Sequence, residues 1–362
     1  MKNITIIGAG NVGSAMAIML AQNTSVKLKI FSKRKNLWKD KLGYRKINSA
    51  ESIRFISGYE VTDSIEKAVT DADRIYITLP SFLRENIIHE ISKHVRPGAM
   101  IVFVPGCGGV EFFCKPLMEK KCIIVGFDRV PAVSRLKEYG SIVEFQWKKN
   151  LKAAGLNIGH KDMEKVCEEL TKELGIKFSA VKSYISITLT PANPIMHPVR
   201  LYSMFKDKRR DSVIDHKIMF YGEWDNATSQ CLFECDDELQ QICKAIGVNE
   251  ITFLREHYES YTPQAMTDKM HSIPSFRMVE SPLKYNENGE YIIDFDSRYF
   301  TEDFIFGLFI IKGMAKICKI DTPMIDRIIE WYLNITDNVE YRDIPAESGL
   351  KSIEDIRNLY ML

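Results

Sequence analysis

Three residues in the second half of the chain, His197, Arg298 and Asp303, could carry acid–base chemistry on an anionic substrate. An imidazole titrates near neutrality, so His197 can accept and release a proton during a reaction. Arg298 can bind a carboxylate through two parallel hydrogen bonds. Asp303 opens an apolar segment typical of a helix, where the helix dipole would keep it ionised and able to orient an imidazole. The alternatives are a buried structural histidine and a capping cluster with a surface ion pair.

The backbone around His197 is restricted because Pro198 follows it. Proline disfavours helical backbone at the preceding residue and can itself begin a helix. We therefore expect His197 at a rigid corner immediately before a helix.

A glycine-rich turn near the N-terminus points to a second kind of chemistry. Gly8, Gly10 and Gly13 follow an apolar strand and open an apolar helix. In this context, the first glycine allows a tight turn, the second lets the backbone approach a pyrophosphate, and the third lets helix and strand pack closely. The positive helix end would then face the phosphates. We expect a dinucleotide coenzyme to contact Gly8, Gly10, Asn11, Val12 and Gly13.

The end of the second predicted strand bears on which coenzyme binds. It carries Ser32, Lys33 and Arg34 where an acidic residue would accept hydrogen bonds from the ribose and repel a 2′-phosphate. These residues suit the 2′-phosphate of NADP, and Arg34 offers a forked grip. NADP(H) is therefore favoured, with NAD(H) as the other candidate. The competing interpretation is an ordinary solvated basic loop.

The pattern of elements divides the chain in two. Before residue 185, short β-branched runs alternate with amphipathic segments, which predicts a Rossmann-type doubly wound parallel sheet over residues 1–185. After it, apolar residues recur at helical spacing, as in Leu232, Leu239 and Ile242, and Thr322-Pro323 is typical of a helix start. Residues 186–362 are expected to form a mostly helical substrate and catalytic domain, with His197 close to the boundary and to the nicotinamide.

Composition excludes several classes of protein. The chain has 362 residues with a formal net charge of +1, which argues against a protein that coats nucleic acid or an anionic membrane. No apolar run is long enough to span a bilayer, and the N-terminus lacks a signal-peptide pattern, so we expect a cytoplasmic protein. The eight cysteines show no metal-ligand spacing and are expected to be reduced, with no metal site.

Taken together, these motifs resemble the opine dehydrogenase family, of the octopine and nopaline type. The resemblance covers nearly the whole chain, and its elements are the glycine turn, Pro105-Gly106 with Gly108-Gly109, Asn193-Pro194-Ile195-Met196-His197-Pro198, Arg298-Tyr299-Phe300-Thr301-Glu302-Asp303 with Gly307-Leu308, and Thr322-Pro323 with Ile325-Asp326. The family joins the amine of an amino acid to the carbonyl of a 2-oxo acid, using NAD(P)H as the reductant.

The resemblance implies a role for each matching residue. His197 would be the catalytic acid–base, Asp303 its orienting partner and Arg298 a clamp for the oxo acid. Asn193 would contact substrate, and Pro105 and Gly106 would contact the coenzyme. A second cation should bind the other product carboxylate, with Arg200 and Arg135 as candidates. The expected partners are small molecules, with a homodimer as a further expectation.

Two regions depart from the family pattern, and two rival functions remain. Phe127 stands where family members carry an acid, and the segment 202–224 is unusually rich in charge. One rival is a ketopantoate-reductase-like or β-hydroxyacid dehydrogenase, which relies on a lysine such as Lys182. The other is a non-catalytic NADP-binding sensor, which would not need His197 and Asp303 to meet.

Overall fold

The computed structural model describes residues 1–337 and 339–362, which divide into two compact units, Met1–Thr188 and Leu189–Leu362. The expected boundary near residue 185 falls a few residues before this division.

The first unit combines strands and helices in alternation. Its strands are β1 (Lys2–Ile7), β2 (Val26–Phe31), β3 (Leu42–Lys46), β4 (Arg54–Ile56), β5 (Tyr59–Thr62), β6 (Arg74–Ile77), β7 (Met100–Phe103), β8 (Ile123–Phe127), β9 (Ala132–Glu138), β10 (Ile142–Trp147), β11 (Asn150–Leu156) and β12 (Lys177–Ala180). Its helices are α1 (Asn11–Ala21), α2 (Ile65–Val69), α3 (Arg84–His94), α4 (Lys115–Glu119), α5 (His160–Leu174) and α6 (Ile185–Thr188).

The main sheet has the doubly wound order predicted from the sequence. Its eight strands run β12-β11-β8-β7-β6-β1-β2-β5, all parallel to their neighbours except that β11 is antiparallel to β8. The central strands β6 and β7 are almost entirely buried, as expected of β-branched runs covered on both faces. The strand order reverses beside β1, so the glycine turn that follows β1 lies at the topological switch point, where such sheets bind ligands.

A second, four-stranded sheet of order β4-β3-β10-β9 belongs to the same unit and was not predicted. Helix α1 packs against β9 and β10 of this sheet. The strand β9 contains several charged residues and exposes most of its side chains. A strand that buries few residues leaves only a weak hydrophobic period in the sequence.

The second unit is mostly helical, which confirms the predicted fold class. Its helices are α7 (Ala192–Phe205), α8 (Asn226–Ile246), α9 (Leu254–His257), α10 (Pro263–Ser272), α11 (Arg298–Thr301), α12 (Phe309–Cys318), α13 (Pro323–Ile335), α14 (Ile344–Glu347) and α15 (Ile353–Tyr360). A hairpin of β13 (Leu283–Tyr285) and β14 (Tyr291–Ile293) interrupts them, and a π-helical turn, Phe304–Leu308, precedes α12.

The long helix α8 shows why the sequence predicts these helices well. The side chain of Asp225 caps its N-terminus by accepting a hydrogen bond from Thr228 N, and Gly247 ends it with a φ of 94°. Leu232, Leu239 and Ile242 lie on its buried face. No helix among the described residues is long and apolar enough to cross a membrane.

Candidate active site and coenzyme-binding turn

His197 lies inside a helix, so the prediction that it stands at a rigid corner before a helix is wrong. Helix α7 begins at Ala192 and continues through Pro198. Proline there removes the N–H that would bond to the carbonyl of Pro194, and its ring crowds that carbonyl. The helix is held by packing against α8, α13 and the π-helical turn. Gly307 of that turn approaches so closely that a Cβ on it would lie 3.0 Å from Pro194 Cβ, and this tertiary contact outweighs the local preference.

His197 and Asp303 meet despite their separation in sequence. The imidazole Nδ1 lies 2.8 Å from Asp303 Oδ2, and the two side chains are 13% and 19% exposed. Asp303 comes directly before the π-helical turn, whose Leu308 N–H donates to the Asp303 carbonyl. This distance allows the carboxylate to orient the imidazole. A non-catalytic sensor would not need the two side chains to meet, so their contact does not favour that alternative.

Tyr221 completes this cluster and was missed by the sequence analysis. Its hydroxyl lies 3.2 Å from His197 Nε2, and its ring stacks on Phe276 at 4.1 Å between centroids. Burial, with the neighbouring Tyr299 next in importance, raises the pKa of Tyr221 far above its ordinary value. The phenol therefore stays protonated, and it can donate to Nε2 in the tautomer whose Nδ1–H donates to Asp303.

Two further rings hold the imidazole in place. Tyr299 meets it edge-on at 4.7 Å between centroids, and Phe220 does so at 5.5 Å. Tyr299 also stacks on Phe220 at 4.7 Å. Because both side-chain nitrogens and the ring edges have partners, the orientation of His197 is set before any ligand binds.

Arg200, a candidate for the second carboxylate clamp, instead supports the segment that carries Tyr221. Its guanidinium is buried and donates to the backbone carbonyls of Phe220 and Met219. Burial lowers its pKa to about 10. Arg200 therefore stabilises the backbone of the second unit, and its guanidinium is already occupied by these carbonyls. The other candidate, Arg135, is exposed on β9 of the first unit.

Arg298 makes two parallel hydrogen bonds to a carboxylate, as predicted, but the carboxylate is that of Glu302 in the same chain. Its Nε and Nη2 donate to the two carboxylate oxygens of Glu302 at 3.1 and 2.9 Å. Most of the Arg298 side chain is exposed, whereas Glu302 is buried. Asn193 is exposed in the first turn of α7, and in the described part of the chain its side chain has no hydrogen-bond partner.

The glycine turn of the first unit has the geometry that a dinucleotide requires. Gly8 has a φ of 110°, and a Cβ on Gly13 would lie 1.8 Å from the Gly8 carbonyl oxygen, so both positions exclude side chains. A Cβ on Gly10 would meet no protein atom within 4 Å. Gly10 therefore borders open space at the start of α1, where free N–H groups can bind phosphate. Asn11 uses its side-chain oxygen to accept from Leu136 N, while Val12 packs on the core.

The residues after β2 form a second part of this unit's surface. The buried Ser32 hydroxyl lies 2.8 Å from the Tyr139 hydroxyl and accepts from Arg34 N at 3.1 Å. The exposed Arg34 guanidinium lies 3.7 Å from the centre of the Tyr139 ring. Lys33 is exposed beside them. Arg34 therefore stacks on Tyr139, and its guanidinium lies exposed near the end of β2.

Pro105 and Gly106 follow β7, the second strand from β1 on the β6 side. A Cβ on Gly106 would lie 2.5 Å from Gly126 Cα, and the Tyr184 hydroxyl donates to the Gly106 carbonyl at 2.9 Å. Glycine is therefore required at position 106 by close backbone packing. Lys182, offered for lysine chemistry, is exposed just after β12.

Comparisons with known proteins match both units. The family model for the NAD/NADP octopine/nopaline dehydrogenase alpha-helical domain matches residues 180–336. The model for the N-terminus of NAD-dependent glycerol-3-phosphate dehydrogenase matches residues 3–112.

Individual relatives extend over nearly the whole chain. Tauropine dehydrogenase from Arabella iricolor is 24% identical, covering 91% of this chain and 90% of that protein. Opine dehydrogenase from Haliotis discus hannai is 27% identical, covering 86% and 85%. A solved structure of octopine dehydrogenase with NADH and L-arginine superposes with a TM-score of 0.85 at 21% identity, over 98% of each chain. The helical-domain match and the relatives that extend over most of the chain are opine-type dehydrogenases, and this chain is similar to them over both units.

Proposed function

We propose that this protein uses His197 as the acid–base of the family's reaction, the reductive condensation of an amino acid with a 2-oxo acid. The chain is an NAD(P)-dependent oxidoreductase of the opine dehydrogenase type. The observation that carries the proposed role is the arrangement of His197 between Asp303 and Tyr221. Imidazole is the side chain best suited to exchange protons near neutral pH.

The reaction needs a group that both removes and supplies a proton. The ammonium group of the amino acid must lose a proton before its nitrogen attacks the carbonyl carbon. The hydroxyl of the resulting adduct must gain a proton before the C–O bond breaks, water leaves and an imine forms. A neutral imidazole accepts the first proton at Nε2, once the Tyr221 hydroxyl has moved off that atom or relays the proton to it, and donates the proton in the second step. Asp303 stabilises the imidazolium that exists between the two steps.

The coenzyme is proposed to bind at the glycine turn. The backbone N–H groups at the start of α1, beside Gly8, Gly10, Asn11, Val12 and Gly13, would hold the pyrophosphate. Pro105 and Gly106 would contact it from the end of β7. When bound, NAD(P)H supplies the hydride that reduces the imine carbon.

NADP(H) is the proposed preference. Ser32, Lys33 and Arg34 offer a hydroxyl and two cations near the end of β2, and no carboxylate stands among them. The stacking of Arg34 on Tyr139 reduces the freedom that its guanidinium would lose on binding a 2′-phosphate.

Arg298 and Asn193 are the proposed substrate contacts. For Arg298 to bind the oxo-acid carboxylate, it must share or exchange its bonds to Glu302. Replacement of Arg298 by Lys should raise KM for the oxo acid with little change in coenzyme affinity, because lysine keeps the charge but loses the fork. An unchanged KM would remove Arg298 from the site.

The test of the function is NAD(P)H oxidation by the purified protein across amino acids paired with 2-oxo acids. We expect oxidation that depends on both substrates, with a secondary amine as product. Oxidation that proceeds equally well without the amino acid would indicate a simple oxo-acid reductase and overturn the proposal.

A homodimer and a cytoplasmic location stay predictions, to be checked by light scattering and by cell fractionation.

A further inference from the structure

The helical unit has a cationic cavity that the proposed reaction does not use. A cavity of about 690 Å³ opens between the C-terminal end of α7, the segment that follows it, and one face of α13. Its lining includes Lys206, Lys208, Arg209, Arg210 and Arg327, together with two carboxylates, Asp207 and Glu330. We call this cavity the basic groove. It explains part of the charge excess in segment 202–224.

Most of these cations have no carboxylate partner. Arg210 pairs with Asp337 at 3.0 Å, but among the described residues no carboxylate lies within ion-pair distance of Lys206, Lys208, Arg209 or Arg327. All four are exposed, so their charges point to solvent and are available to a ligand. Bringing so many like charges together costs electrostatic free energy, which a bound anion would offset.

The groove has structure as well as charge. Arg209 N donates to the Ser212 hydroxyl at 2.9 Å and Ser212 N donates to the Arg209 carbonyl at 3.1 Å, which holds the segment in a turn. Arg210 lies over the Phe295 ring at 4.8 Å. Trp331 of α13 meets Tyr202 of α7 edge-on at 5.7 Å, and both rings line the groove. The groove therefore combines exposed cations with two aromatic rings that pack against each other.

The groove is distinct from the His197 cluster. A helix turns by about 100° per residue, so Tyr202 and Lys206 lie roughly 140° and 180° around α7 from His197. His197 contacts Asp303 and Tyr221, whereas Tyr202 and Lys206 face the groove. The two sites use opposite faces of one helix.

We propose that the basic groove binds a small phosphorylated anion. A phosphate group brings close to two negative charges and three acceptor oxygens, which match a set of forked arginines and lysines better than one carboxylate does. The cavity volume is within the range of small-molecule sites. This inference does not depend on the proposed reaction, whose substrates are carboxylates.

The test is a calorimetric titration of the protein, saturated with reduced coenzyme, with tripolyphosphate and separately with ATP. Saturation keeps the probes from the glycine turn. We expect binding that weakens steeply with added salt. The double variant Arg209→Gln/Arg327→Gln should weaken it at least tenfold, whereas Lys244→Gln, which removes an exposed cation elsewhere in the unit, should leave it unchanged. Equal affinities for the two probes would identify phosphate as the recognised group. Tighter binding of ATP would show that the groove also contacts the adenosine.

Two outcomes would overturn the proposal. One is the absence of binding at millimolar concentrations of either probe. The other is equal affinity in the wild type and the double variant, with the double variant only lowering Tm. That second result would mean that the cations contribute to the stability of the fold and do not bind a ligand.

Discussion

His197 Nδ1 lies 2.8 Å from Asp303 Oδ2, although 106 positions separate the two residues in the sequence. The contact fixes which ring nitrogen carries the proton in the neutral imidazole, because a carboxylate accepts and does not donate. The other nitrogen, Nε2, is then the atom that can take up a proton. In this structure Nε2 lies 3.2 Å from the Tyr221 hydroxyl, which donates to it in that tautomer.

Replacement of His197 by Ala should lower kcat by about 10²- to 10⁴-fold, the usual contribution of a positioned acid–base. Asp303→Asn should lower kcat by about 10²-fold, because the amide can neither fix the same tautomer nor stabilise an imidazolium. Steady-state kinetics with saturating coenzyme measures both effects. Coenzyme affinity serves as the control and should not change. If His197→Ala retains most of the activity, the lysine-based mechanism with Lys182 becomes the better account.

Tyr221→Phe should lower kcat by up to about tenfold, because the variant loses one neutral hydrogen bond that positions His197. The variant keeps the ring that stacks on Phe276, so the fold should be preserved. Tyr258→Phe is the matched control, since it removes a buried hydroxyl whose contact is the sulfur of Met196. Equal kcat values for the two variants would show that the Tyr221 hydroxyl has no part in positioning His197.

Gly10→Ala and Gly13→Ala should separate ligand binding from packing in the glycine turn. A Cβ at position 10 meets no protein atom within 4 Å, so the first variant should lose less than about 1 kcal/mol of stability. It should nevertheless bind the coenzyme at least tenfold more weakly, since the new methyl group occupies the space proposed for the pyrophosphate. Gly13→Ala should be destabilised by about 3 kcal/mol or more through its overlap with Gly8. Thermal unfolding and coenzyme titration measure the two properties, and unimpaired coenzyme binding by Gly10→Ala would contradict the proposed site.

Arg34→Gln should weaken NADPH binding by about 10- to 100-fold, since a hydrogen bond to a charged group is worth roughly 1.5–3 kcal/mol. NADH binding should be unaffected because NADH lacks the 2′-phosphate. Fluorescence titration with each coenzyme measures the change. Lys41→Gln, a loss of charge on the same unit, is the control. A parallel loss for both coenzymes would place Arg34 on a shared part of the nucleotide.

Asp225→Ala should lower the free energy of unfolding by about 1 kcal/mol at pH 7, through the loss of the cap on α8. Burial alone would raise the pKa of Asp225, but hydrogen bonds from Thr228 and the charge of Arg200 hold that pKa below its ordinary value. A lowered pKa stabilises the fold above the unfolded-state value and loses that effect as pH falls through the folded-state value. The difference between wild type and variant should therefore shrink below about pH 4. Urea unfolding at pH 7 and pH 3 tests this, and an equal difference at both would contradict it.

The features that could be predicted from the sequence are those that local backbone geometry requires. Gly8 and Gly13 are needed because a tight turn and a close helix–strand approach leave no room for a side chain. The β-branched runs predicted the parallel sheet, and the spacing of Leu232, Leu239 and Ile242 predicted α8. Each of these signals lies within a few consecutive residues, so no knowledge of distant contacts is needed.

Several side-chain contacts depend on how distant elements pack and could not be predicted from local sequence. Pro198 lies inside α7 because packing against Gly307 and neighbouring helices outweighs a local preference. Arg200 supports the backbone before Tyr221, and Arg298 grips Glu302. Tyr221 has no sequence pattern that marks it, because its contact with His197 depends on how the segment after α7 folds back onto that helix. Contacts of this kind arise from the packing of whole elements, which residue type and spacing do not encode.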